Sequence, residues 1–172
     1  LTPLLAKHYG IPHQGTALQK VSLTGIRSRG GILTHGSILT IGGDEASMVT
    51  RGLFVMQDLL RGAIKDPPPG TNTPPPHTKE GLTQRGIAEQ RIADANCGGC
   101  HIKFEPLAFG LEKYDGIGAF HDADEHGNKL REDGNILFPG TGKPIAYRTS
   151  AQLMDLLAGS SRVKECLTWK IT

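Results

Sequence analysis

The pentapeptide Cys97-Gly98-Gly99-Cys100-His101 restricts this chain more than any other stretch. Two cysteines three residues apart, followed at once by a histidine, carry the spacing by which a c-type haem is attached to protein. On a helical turn the two thiols share a face, so each can add to one vinyl group of a single porphyrin. His101 is then held beneath the ring, where its imidazole can ligate iron. Other uses of a C-x-x-C pair fit less well. Structural zinc needs two further ligands at regular spacing, and the one remaining cysteine is Cys166. A redox-active dithiol belongs in a βαβ context, which the pattern lacks. A disulfide framework is excluded by the same count. One covalently bound haem c is the expected cofactor.

A haem also compensates for a weak core. Only 37% of the 172 residues are hydrophobic, and Gly 23 and Pro 11 predict long loops with modest secondary structure. The net charge of +2, with both signs interspersed, argues against nucleic acid or an anionic membrane surface as partner. No apolar run approaches the ~18 residues of a membrane span. The chain opens LTPLLAKHYG, without a basic segment leading into an apolar one. Haem attachment in bacteria takes place outside the cytoplasm, so an export signal must once have existed, and the chain is expected to be an excised domain, a processed product or a segment of a longer chain.

Along the chain, Leu4, Leu5 and His8 suggest a short helix ending at Gly10. The Gly-rich stretch from Gly25 to Gly43 holds two β-like runs, residues 31–35 and 37–41. It lacks the G-x-G-x-x-G or G-K-[ST] pattern of a phosphate loop. From Glu45 the period becomes helical, through Met48, Gly52, Val55, Met56, Leu59 and Ala63, with Asp44 or Ser47 as cap and the two methionines on one face. Asp66 to His77 reads DPPPGTNTPPPH, an extended, semi-rigid spacer. Leu82, Ile87, Ala88, Ile92 and Ala95 mark a helix running into Cys97, where Gly98 and Gly99 leave the backbone free to close on a porphyrin. Pro106, Leu107, Phe109, Leu111, Tyr114, Ile117 and Phe120 offer an apolar wall. Pro106 or a nearby carbonyl is the expected acceptor for the Nδ1–H of His101. Residues 122–133 match a calcium loop imperfectly at His126 and Asp133, and a polar hairpin turn about Gly127 fits better. Ser150 and Ser161 open two closing helices, the first carrying Leu153, Leu156 and Leu157 and ending at Gly159.

Four stretches carry a resemblance: GGILTHGSILT (30–40), Arg51-Gly52 through Leu59-Leu60, the Pro tract, and CGGCHIKFEPLAFGLEKYDGIGAF (97–120). In this order they resemble the haem-bearing C-terminal region of the large planctomycete-type bacterial cytochromes, a family of uncharacterised domains. The resemblance implies electron transfer, further domains upstream, and a closing helix that continues past Thr172. Where the family motif reads C-x-x-C-H-x-x-M-D-P, this chain has Phe104 and Glu105. Phe104 lies on the His101 side of the haem and is expected to pack on the porphyrin with Pro106, Leu107 and Phe109.

The expected fold is mainly α with long loops. A cytochrome c-like haem domain (78–172) follows a Pro-rich linker (67–77) and a short β/helix extension (1–66) that wraps it. By analogy with small cytochromes, the last helix crosses the helix that precedes the haem motif. Small cytochromes carry a distal methionine between the haem motif and the last helix, but residues 102–150 contain none. Met48, at the polar entry to its helix, is the first choice for the sixth iron ligand. Met154, Met56, His35, His121 and His126 stand behind it. The expected function is extracytoplasmic single-haem electron transfer, in the periplasm or at the cell surface. The partners are a redox protein and either the rest of the parent chain or other subunits of a complex. A peroxidase- or oxygenase-like enzyme with an open distal site is the alternative, and a docking module with haem as core is a third.

Overall fold

Short helices, most of them opened by a side-chain cap, build this molecule. The computed structural model describes residues 1–43, 45–70 and 76–171. Its helices are α1 (Pro3–His8), α2 (Gly36–Leu39), α3 (Met48–Leu53), α4 (Gln84–Ala93), α5 (Gly98–His101), α6 (Ser150–Gly159) and α7 (Ser161–Ile171). A π-helical segment, Phe54–Leu59, continues α3, and a 3-10 helix spans Glu105–Leu111. The hydroxyls of Thr2, Ser47, Thr83 and Thr149 accept first-turn N–H groups at the starts of α1, α3, α4 and α6. Each such cap contributes about 1 kcal/mol. Among the described residues the fold is helix-rich, 42% helical, with one small sheet. In that sheet β1 (Gly134–Ile136) runs antiparallel to β2 (Ile145–Tyr147), with Asn135 opposite Ala146. Among the described residues no helix is long and apolar enough to cross a membrane.

The structure corrects the sequence reading in several places. Residues 31–41 form no strand. They fold as the 3-10 turn Ile32–Thr34, α2 and the 3-10 turn Thr40–Gly42. The Thr34 hydroxyl donates to the Gly30 carbonyl and accepts from the Gly30 N–H, closing a local turn that competes with an extended chain. Met48 and Met56 do not share a face. The Leu60 N–H bonds to the Val55 carbonyl, five residues back, and that wider turn rotates Met56 into a different cluster. Ser47 caps α3, while Asp44 and residues 71–75 of the Pro tract lie outside the described residues. Thr149 caps α6, and Ser150 is buried against Glu132 instead.

One core spans the Pro tract. Leu33, Leu39, Val55 and Leu59 from before it pack with Leu107, Leu111, Ile136 and Leu153 from after it. Each such side chain contributes about 1.5–3 kcal/mol on full burial. Two buried arginines stitch the same halves. Arg51 on α3 donates to the carbonyls of Leu39, Leu111, Tyr114 and Asp115. Arg29 donates to the carbonyls of Thr34 and Gly118 and stacks over Tyr9, 4.1 Å from its ring centre. The two-stranded sheet closes on the 3-10 helix through Tyr147, whose hydroxyl accepts the Gly110 N–H and whose phenol burial pushes up to about 12. The α7 helix is tied to the segment after α3 rather than laid on α4 by its polar contacts. The Arg162 guanidinium donates to the Leu60 carbonyl, the Cys166 thiol to the Asp58 carbonyl, and Lys170 pairs with the Asp58 carboxylate.

Candidate functional site

The Cys-x-x-Cys-His turn is held by its neighbours in sequence. After α4 ends, the Asp94 carboxylate accepts the backbone N–H groups of Asn96 and Cys97, at 2.8 and 3.0 Å. These bonds, the one from Asn96 foremost, hold the Asp94 carboxyl below its ordinary range, and its contact with the Cys97 thiol pushes that thiol up. The Gly98 N–H then bonds the Asp94 carbonyl, and α5 follows. Gly98 is there for space: a Cβ would sit 2.2 Å from the Ile92 carbonyl oxygen. Gly99 has nothing within 4 Å of that position. The thiols of Cys97 and Cys100 are free and exposed.

His101 leaves this turn with one ring nitrogen engaged. Its Nδ1 lies 2.5 Å from Oε1 of Glu105, a side chain with no solvent exposure. Arg91, reaching from α4, donates through Nε to the same oxygen at 2.8 Å and through Nη2 to the other at 3.2 Å. The acceptor for His101 is thus a carboxylate, not the Pro106 carbonyl. The ring of Phe104 packs tilted on the imidazole, with centroids 5.0 Å apart. With Nδ1 engaged, Nε2 is the nitrogen available to a metal. Two exposed thiols one turn apart beside a histidine of fixed tautomer are a donor set that fits a covalently attached haem.

Most of the apolar residues assigned to a porphyrin wall are buried among other side chains of the protein. Phe104, Leu107, Leu111 and Tyr114 are buried in the main cluster, and Gly52 packs against the backbone of Phe104. Phe109 lies in a smaller cluster with Met48, Ala88 and Ala108, under the guanidinium of Arg85 at 4.4 Å. Pro106 is half-buried, Ile117 is exposed, and Ile102 beside the motif is 57% exposed. Met48 is fully buried in the smaller cluster, which gives it a packing role. Met56 packs in the main core and Met154 against Gly31. His35 bonds Ser37, His121 bonds Asp115, and His126 is exposed beside Thr78. The expected turn at Gly127 is present: Ala123 bridges Lys129, and the Asp124 carboxylate accepts the N–H groups of His126 and Asn128.

Three residues of the site escaped sequence reasoning: Asp94, Arg91 and Glu105. Glu105 had a usable signal, since it stands four residues after His101 and so on its helical face. Arg91 had none, because it arrives from another element. Among the described residues no group of three or more His, Cys, Asp or Glu side chains converges to hold a metal ion. A haem iron asks for fewer protein ligands than that. No curated protein and no solved structure matches the chain. A family does. Residues 29–124, running from the buried Arg29 through the Cys-x-x-Cys-His turn to Asp124, match PSCyt3, described as a protein of unknown function (DUF1588), and the chain belongs to that planctomycete-type, cytochrome-like family.

Proposed function

We propose that this chain is a single-haem c-type cytochrome domain that transfers electrons outside the cytoplasm as part of a larger protein. The observation that carries the reading is the pair of exposed thiols, Cys97 and Cys100, beside a histidine whose Nδ1 is already committed to Glu105. Bound haem would supply a one-electron iron couple. The protein's own tasks are narrower. Cys97 and Cys100 tether the ring, His101 presents Nε2, and Phe104 holds the imidazole plane. The buried pair of Glu105 and Arg91 keeps that orientation. Membership in a cytochrome-like family points the same way.

The test is expression together with a c-type haem attachment system. The expected result is a product that keeps its haem after denaturation and acid extraction and gives the pyridine haemochrome spectrum of two thioether links. Cys97→Ser and Cys100→Ser should each abolish one link, and their double variant all covalent haem. A wild-type product that loses its haem on extraction would sink the proposal.

Met48 is expected to matter for stability and not for ligation. Truncating so buried a methionine costs roughly 2–5 kcal/mol, read by chemical denaturation of Met48→Ala. The visible spectrum of the haem-loaded variant should match the parent. Loss of a methionine–iron charge-transfer band on this substitution would instead put Met48 at the iron.

A further inference from the structure

We propose that Glu105 is the positioning residue that sets the donor strength of His101, with Arg91 as its counterweight; this rests on the haem reading above. A carbonyl partner for Nδ1 carries a partial charge. The Glu105 carboxylate carries a full one, has no solvent exposure, and lies 2.5 Å from the ring nitrogen. In so poorly hydrated a place its field on the imidazole is little screened. Negative charge at Nδ1 pushes electron density through the ring to Nε2, and outer partners of this kind make a histidine a stronger metal ligand. A stronger donor favours the oxidised iron over the reduced one. Arg91 opposes this, because its Nε shares the Oε1 that His101 uses. The three residues come from α5, the 3-10 helix and α4. Neither the pull nor its counterweight can move without repacking all three.

Haem-loaded wild type, Glu105→Gln, Glu105→Asp and Arg91→Gln decide the matter through two readings. One is the reduction potential; the other is the iron–histidine stretching vibration of the ferrous protein after photolysis of carbon monoxide. Glu105→Gln keeps an oxygen to accept the Nδ1–H but removes the charge. Its one-electron equilibrium should move at least tenfold toward the reduced form, which is ~59 mV, with a lower stretching frequency. Glu105→Asp, which keeps the charge, should restore much of both. Arg91→Gln should shift both readings the opposite way, an antisymmetry that loosened packing would not produce. The Arg91 variant carries the test alone if Glu105→Gln fails to fold. Potentials and frequencies equal to wild type in these variants overturn the proposal. Absence of covalent haem from wild type is a separate result, and it overturns the haem reading on which the proposal stands.

Discussion

Replacing Arg51 with methionine is expected to lower the unfolding free energy by about 3 kcal/mol or more, since hydrogen bonds from a charged donor contribute ~1.5–3 kcal/mol each and several are lost together. Arg51 is 1% exposed, and the five N–H donors of its guanidinium go to four backbone carbonyls. Those of Leu39 and Leu111 end short helices, where carbonyls lack intrahelical donors. Burial lowers the guanidinium pKa to about 10, so the group remains charged at neutral pH. Methionine fills similar space but takes the charged donor from four buried carbonyls, of which those of Leu111 and Asp115 keep the N–H groups of Tyr114 and Gly118; each lost bond costs ~1–3 kcal/mol before relaxation. Against a total of roughly 5–15 kcal/mol, much of the protein's stability would be gone. Lysine keeps the charge but not the fork, so Arg51→Lys should recover only part. Urea or guanidinium titration reads both variants; a change under about 1 kcal/mol for Arg51→Met would contradict this account.

Two adjacent glycines are expected to respond in opposite ways. In Gly98→Ala the new methyl meets the Ile92 carbonyl oxygen at 2.2 Å, and backbone cannot swing aside as a side chain does. The last turn of α4 and α5 have to separate, carrying Cys97, Cys100 and His101 out of register with Asp94 and Glu105. Overpacking of this kind costs about 1–3 kcal/mol or more. Here it should also reduce covalent haem yield severalfold. In Gly99→Ala the methyl meets nothing within 4 Å, and alanine is the better helix residue by roughly 0.5–1 kcal/mol. That variant should keep full haem yield and melt no lower than the parent. The pair is read by haemochrome yield and thermal unfolding on matched preparations. Equal behaviour of the two variants would remove the close approach at Gly98 as the reason for glycine there.

What could be read in the chain beforehand follows a physical divide. Local chemistry was legible: the spacing of Cys97, Cys100 and His101, the cap at Ser47, the turn about Gly127, and the restart at Ser161 are each settled within a few residues. Features that depend on distant partners were not. The runs at 31–41 look extended by β-branched content, yet Gly30 and Thr34 close a turn there. Arg51 sits in an amphipathic pattern where any charged residue would be assigned to solvent. Its burial exists because carbonyls 60 or more residues away converge on it. The small sheet has strands of three residues, too short to show an alternating pattern, and Glu105 was hidden in a run otherwise read for apolar contact. At Gly98 freedom to meet a porphyrin was expected, and the structure adds a reason of its own, room for the Ile92 carbonyl.

The bonds that stitch the halves together also bear on how the molecule forms. Helical proteins of this size are ordinarily quick to fold, because most of their contacts join near neighbours. Here Arg51 reaches residues 60 to 64 positions ahead, and α7 is tied to residues 101 to 112 positions behind it. Closing such loops takes chain entropy before any contact offsets it. The short helices preceding the Pro tract are too brief to persist alone in water. They are held by side chains and carbonyls that follow the tract, so the N-terminal third has a structure to keep only once those later residues have been made and have packed on it.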